Sequence, residues 1–399
     1  MIKKSSPIIA NNEFEKQLVT RLVNKAKERQ NGNLPFGIIM AAFYDLAISA
    51  VYYSNITNTG WLYCDEKSPK LILPFVNCCP IHALEGRFVF HKSSKPTSAK
   101  IGQATTRVLL LFYKAMFKAY GLDIDVLKAT EPADTIFIDN INKSVFFGEI
   151  KSSPLLTLAL SMNCEALTTY DTEGNIIPTP HKPMDNPYIT RNNLYLIVPK
   201  KNEDGVWIPE FFSIGSKRSN TDDEFAYKGI LRLIEDEVFL NTYLEYWSKS
   251  YVAYSKKLES DNIFWLTNAC GKPSNLPYDW KGGVTCISDE KTSVGMDRTD
   301  DIKKGIYQVL KLGSEGKNVE SAVKYKVGIV SNIHPVRHFD VYLKPIKDLI
   351  WTITEKKNIT LAKELPPEQP IYNLFDGIIT FTKVYSRDNW VNNLLSMLK

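Results

Sequence analysis

The run from Pro132 to Lys151, PADTIFIDNINKSVFFGEIK, constrains this chain more than any other part of it. Two β-rich stretches flank Asn140–Lys143, and Asn-rich tetrapeptides between such stretches are turn signals. Closing that turn pairs Asp139 with Ser144. Counting outward sets Asp134 opposite Glu149, and the strand period of two returns Lys151 to the same face. The two faces are otherwise apolar, with Ile136, Ile138, Val145 and Phe147 on one and Phe137, Phe146 and Ile150 on the other. Strands apolar on both faces belong in the middle of a covered sheet.

The elements around this hairpin are mixed. Amphipathic spacing predicts a helix over 14–27, a helix apolar nearly all round over 38–52, and a long helix over 98–120 that Thr97 or Ser98 can cap and Gly121 ends. Residues 60–96 read as irregular. Strands are expected at 124–129, 134–139, 144–151 and 194–200, with an apolar segment at 154–162 and a long loop to Arg191. A polar stretch at 215–223 is the best candidate boundary. Beyond it the pattern predicts one helix over 224–258, strands at 263–267 and 284–288, and a helix over 299–312. A strand at 326–333, a helix around 339–349 and a terminal strand and helix complete the reading. The fold class is therefore α/β or α+β, with a mixed central sheet flanked by helices.

Composition excludes several classes. Hydrophobic residues make up 44% of the 399, enough for a core and too many for wholesale disorder. No run of about 18 apolar residues is read in the sequence, so no conventional membrane helix is expected, and the basic start has no apolar segment of the signal-peptide kind behind it. Six cysteines are too few for a disulfide scaffold, so a reducing, cytoplasmic setting is expected. A net charge of +5 is compatible with nucleic acid and equally with an ordinary enzyme surface. No phosphate-binding glycine loop or Gly-x-Ser-x-Gly element is present, so nucleotide cofactors and serine hydrolysis have no support.

Asp134 and Glu149 carry the chemistry. Directly opposed residues on antiparallel strands have Cβ atoms about 4.5–5.5 Å apart, and two carboxylates there repel and are expensive to bury unpaired. A divalent cation resolves the conflict, and Mg²⁺ binds through one or two carboxylates while keeping waters. A lysine beside it can orient or deprotonate a water or stabilise charge on phosphorus. These are the parts needed to hydrolyse a phosphodiester. The opposing reading is an exposed strand end bearing a Glu–Lys ion pair. The matched register, Pro132 just before Asp134, the apolar strands and the flanking elements favour catalysis.

Pro-Ala-Asp134 followed by Glu149-Ile-Lys151, within helix–three strands–helix–strand, resembles the PD-(D/E)xK nuclease superfamily. Gly-Glu149-Ile-Lys151-Ser-Ser-Pro-Leu is similar to type II restriction endonucleases, and the stretch from Ser288 to Gln308 is similar to their ApaLI-like group. The core match covers about residues 98–200. The resemblance implies a restriction-endonuclease-like core with N- and C-terminal elaborations. It also implies Mg²⁺-dependent double-strand cleavage of DNA at a short palindromic site by a homodimer, with Mn²⁺ able to substitute. Asp134 and Glu149 would be metal ligands, and Lys151 would assist the attacking water. Relatives often add an acidic or amide group from the preceding helix, where only Gln103 is available. Residues 1–97 would then be an N-terminal helical and irregular region, 98–215 the nuclease core, and 216–399 a C-terminal α/β region for DNA recognition or dimerisation. A repair or recombination nuclease with the same core, and a non-catalytic DNA-binding protein, are the alternatives.

A rival site exists on paper. Asp289-Glu-Lys291 has the same spacing with Asp279 upstream, but a turn at Gly282-Gly283 sets Asp289 opposite Leu276. Within the nuclease reading, Lys291, Thr292, Arg298, Thr299, Lys303 and Lys304 would instead contact phosphates or base edges. Cys64, Cys78, Cys79, His82 and His91 fall within 28 residues. A structural zinc on Cys64, Cys78, Cys79 and His82 is one reading, but the spacing is not a paired CxxC, so core or surface cysteines are expected. His334 and His338 are read as a loop contact to DNA or plain surface. The aromatic residues of 243–254 are read as core or dimer packing.

Overall fold

The computed structural model describes residues 5–66, 68–167, 169–177, 182–184, 189–268, 278–281, 294–316, 324–353, 359–360 and 372–386. Its helices are α1 (Glu13–Glu28), α2 (Phe36–Ser54), α3 (Pro80–Leu84), α4 (Ser98–Ala119), α5 (Phe225–Leu233), α6 (Glu237–Lys256) and α7 (Thr299–Gly316). The chain divides into two units, each discontinuous in sequence. One comprises Met1–Tyr44, Ile101–Pro154 and Ser293–Lys399, and the other Asp45–Lys100 and Leu155–Thr292. This division differs from the expected boundaries at 97/98 and 215/216. The polar stretch at 215–223 follows the strand Trp207–Ser216 and leads into α5 within one unit, so its composition marks a surface turn.

In the first unit a seven-stranded mixed sheet has the order Ser6–Pro7, Ile124–Lys128, Thr135–Asp139, Ser144–Ile150, Lys324–Val330, Gly377–Ile379, Tyr385–Ser386. Ser144–Ile150 is antiparallel to Thr135–Asp139 and parallel to Lys324–Val330. The hairpin therefore lies at the centre, where its two apolar faces can both be covered. Its turn closes as expected. Asp139 pairs with Ser144, and the Asp139 carboxylate accepts from Ile141 N at 3.1 Å and Asn142 N at 2.9 Å. Lys143 takes the left-handed conformation at φ 48°.

One face carries α4, whose Tyr113 and Phe117 rings each stand 5.6 Å from Phe137. The other carries α7, where Ile302, Val309 and Leu312 pack with Ile136, Val145 and Phe147. Each such fully buried side chain contributes about 1.5–3 kcal/mol. The first unit is thus a mixed sheet flanked by helices.

The second unit holds a six-stranded antiparallel sheet in the order Lys182–Met184, Trp61–Cys64, Lys70–Leu73, Leu160–Asn163, Asn193–Lys201, Trp207–Ser216. Residues 60–96 are therefore not irregular. They supply two strands of this sheet, the helix α3, and the strand Phe88–His91, which pairs in parallel with Tyr278–Lys281.

The expected helix over 224–258 is two helices. Asp236 restarts the chain as the N-cap of α6, accepting from Val238 N at 2.8 Å. The expected strand at 263–267 is a 3₁₀ turn, Asn262–Leu266, capped by Asp261, since a short apolar run has no period of its own. The expected helix at 339–349 is a single π-helical turn, Phe339–Leu343, because Pro345 bars its continuation.

Helix α2 departs from the membrane expectation. Its 19 residues are long and apolar enough to cross a bilayer by composition, but 94% of its most apolar stretch is buried within the protein. Asp45 lies in this helix and is fully buried. Its carboxyl accepts from Trp247 Nε1 at 2.7 Å and Leu156 N at 2.9 Å. Burial raises its pKa well above the ordinary carboxylate range.

Candidate active site

The hairpin ends opposite its turn, at the carboxyl ends of Ser144–Ile150 and the parallel strand Lys324–Val330. In open α/β sheets, ligand sites favour such strand ends. The paired register ends at Thr135–Gly148, and one residue further out Asp134 N donates to Gly148 O at 3.0 Å. The Asp134 carboxyl is a charged neighbour of Glu149. On the other side, Lys151 N donates to Val330 O at 3.1 Å, which extends the parallel ladder by one residue.

Backbone constraints hold the side chains. Asp134 Oδ2 accepts from Ile150 N at 2.9 Å, which fixes the carboxylate against the opposite strand. Gly148 is required by packing, since a Cβ there would lie 2.9 Å from Thr135 Cγ2 and 3.0 Å from Val330 Cγ2. Lys151 Nζ forms an ion pair and hydrogen bond with Glu149 Oε1.

Glu149 is only 6% exposed. Burial, and then the negative charge of Asp134, push its pKa from 4.5 up to about 7, although Lys151 pulls the other way. The two carboxyls are close enough for their charges to interact. One lysine does not neutralise the pair, so Asp134 and Glu149 fit a divalent cation in charge and donor type.

Helix α7 lies over the same face. A Cβ on its Gly305 would stand 3.9 Å from Lys151 Cγ, so the helix passes the lysine closely. Thr299, Lys303 and Lys304 lie on α7 within two turns on the N-terminal side of that contact, and Arg298 immediately precedes the helix. Lys303 and Lys304 are exposed. Lys303 Nζ stands 5.7 Å over the Tyr342 ring, and Thr299 Oγ1 lies 3.2 Å from His338 Nε2. Lys291, Thr292 and the rival pair Asp289 and Lys291 lie outside the described residues, as does the strand expected at 284–288. The backbone of Asp279 belongs to the strand Tyr278–Lys281, which pairs with Phe88–His91. Gln103 is exposed on α4, and α4 covers the sheet face opposite to the carboxylates.

Two residues that sequence reasoning gave no role organise the surroundings. Asn332 Nδ2 donates to Ser153 O at 2.8 Å, tying the segment after Lys151 to the loop after Lys324–Val330. The Asp297 carboxylate accepts from the backbone N–H groups of Val336, Arg337 and His338 at 2.8–3.1 Å, which fastens that loop to the start of α7. Neither has a periodic or motif signal, because each acts through backbone groups distant in sequence. His334 and His338 do not converge on one ligand. His334 is buried, and burial lowers its pKa to about 4, whereas His338 faces Thr299 and Asp297.

The cysteine cluster assembles in part. Cys64, Cys79 and His82 bring their ligand atoms within 4.8 Å of one another, and all three are buried. Cys78 does not join them, because its Sγ points to Cys79 O at 3.7 Å. His91 is likewise not a member.

No protein-family model, curated protein or solved structure matches the chain.

Proposed function

We propose that this chain is a Mg²⁺-dependent endodeoxyribonuclease of the type II restriction class, with a restriction-endonuclease-like core and double-stranded DNA as substrate. One observation carries the reading. Asp134 and Glu149 are charged neighbours at the open end of a central hairpin, and Lys151 is paired with Glu149. Cutting both strands of a palindromic site would use a homodimer in a reducing, cytoplasmic setting.

Asp134 and Glu149 would hold Mg²⁺. When bound, Mg²⁺ supplies positive charge at a phosphate oxygen and makes a neighbouring water more acidic. The chain's own residues do the rest. Asp134, held by Ile150 N, keeps its carboxylate in place without side-chain reorganisation. Lys151 Nζ is the cationic donor beside the pair, placed to hold a water for in-line attack on the phosphorus. Arg298, Lys303 and Lys304 would bind flanking phosphates and set the register of the duplex. Arg298 and Thr299 would also be able to reach base edges.

Plasmid digestion tests this reading. Discrete fragments are expected with Mg²⁺, none with EDTA, and a rate about 10²-fold lower or less for Lys151→Ala. Survival of cleavage in Lys151→Ala with loss in Lys291→Ala would move the active site to the rival pair. A smear in place of discrete fragments would favour a repair-type nuclease. Binding without cleavage in Mg²⁺ and Mn²⁺ would refute the enzyme.

A further inference from the structure

The group formed by Cys64, Cys79 and His82 lies in the second unit and has no part in the hairpin site. Its three members come from different local structures. Cys64 is the last residue of the strand Trp61–Cys64, Cys79 immediately precedes α3, and His82 lies within α3. Cys64 and Cys79 are 0% exposed and His82 is 4% exposed. Around them pack Ile72, Ile81, Ala159 and Ile197.

The distances have the scale of a shared ion. His82 Nδ1 is 3.2 Å from Cys79 Sγ and 3.7 Å from Cys64 Sγ. Tetrahedral zinc with ordinary bond lengths places sulfur and nitrogen ligands about 3.6 Å apart and two sulfurs about 3.8 Å apart. The other imidazole nitrogen faces a carboxylate. His82 Nε2 lies 3.6 Å from Glu66 Oε1, and Glu66 is in turn paired with Arg87. A metal-bound histidine typically directs its second nitrogen to such a carboxylate, which fixes the tautomer and strengthens the ligand. Two thiolates also neutralise a divalent cation, so the filled site would bring no net charge into its apolar surroundings.

We propose that Cys64 Sγ, Cys79 Sγ and His82 Nδ1 bind a single zinc ion, with Glu66 as the carboxylate that orients His82. The ion would join the end of the Trp61–Cys64 strand to α3. Cys78, the other member of the Cys-Cys pair, is not a ligand.

The test uses the full reduced chain, dialysed against metal-free buffer, with zinc measured by elemental analysis. About one zinc per chain is expected. Cobalt titrated into the zinc-free wild type should give thiolate-to-cobalt charge-transfer absorption and the visible bands of a tetrahedral ion. Cys64→Ser and Cys79→Ser should lose both signals, Glu66→Gln should bind about 10–100-fold more weakly, and Cys78→Ser should retain the ion. Glu149→Gln should also retain it, which separates this site from the hairpin carboxylates. The cobalt spectrum of the wild type stands even if a cysteine variant fails to fold. Wild type without stoichiometric zinc and without thiolate–cobalt bands, or full zinc content in a Cys64→Ser/Cys79→Ser double variant, would overturn the proposal. So would a Cys64–Cys79 disulfide in protein purified under reducing conditions.

Discussion

The raised pKa of Glu149 makes a quantitative prediction about the metal-free protein. Folding moves this carboxyl from 4.5 to about 7, so the native state holds the proton more tightly than the unfolded chain does. Its contribution is fully present below about pH 4.5 and is lost as pH rises through about 7. Integrated between pH 5 and pH 8, the loss is about 2–3 kcal/mol, taking 1.36 kcal/mol per pKa unit. Urea unfolding in EDTA at the two pH values measures it, with Glu149→Gln as reference so that all other titrating groups cancel. Wild type should lose about 2–3 kcal/mol more than the variant on going to pH 8. Adding Mg²⁺ at pH 8 should return about 2.7 kcal/mol at 100 times its dissociation constant, and Glu149→Gln should gain far less. Parallel pH profiles for wild type and Glu149→Gln would refute the argument. They would mean that Glu149 is ionised without cost, and that a cation is not needed to relieve its repulsion with Asp134.

Other outcomes follow from the same structure. Lys303→Ala and Lys304→Ala should each weaken DNA binding and lower the slope of log affinity against log salt by about 1, measured by fluorescence anisotropy. Asp45→Ala should cost about 2–4 kcal/mol in urea unfolding, because Trp247 Nε1–H and Leu156 N–H lose their acceptor. Asp45→Asn should remain within about 1 kcal/mol, because Asn keeps an oxygen acceptor for both donors. Gly328→Ala should destabilise by about 3 kcal/mol. Its Cβ would stand 1.9 Å from Gly377 O, and backbone cannot swing aside as a flexible side chain can.

The hairpin is legible in the sequence, and the reason is local. A tight turn sets the Asp139–Ser144 register, and a period of two puts Glu149 and Lys151 together near the hairpin's open end. The helices α1, α2, α4 and α7 were legible for a similar reason, as each has a long apolar spacing. The short strands were not. Trp61–Cys64 and Lys70–Leu73 have four residues each and are buried with little or no alternation, and Trp207–Ser216 contains Pro209, which argues against a strand when read alone.

What the sequence by itself determined, then, is the register of one hairpin and the identity of the three groups at its end. It could not determine what those groups experience. The pKa of Glu149 depends on burial beside Asp134, and the closeness of α7 to Lys151 depends on Gly305 reaching across about 150 residues of chain. The Cys64–Cys79–His82 group has the same origin, because a strand end and a helix meet there without any regular spacing in the sequence. The two discontinuous units follow as well, since non-local strand pairing joins segments whose composition gives no sign of belonging together. Local geometry can be counted along a chain, whereas burial and convergence are properties of what packs against it.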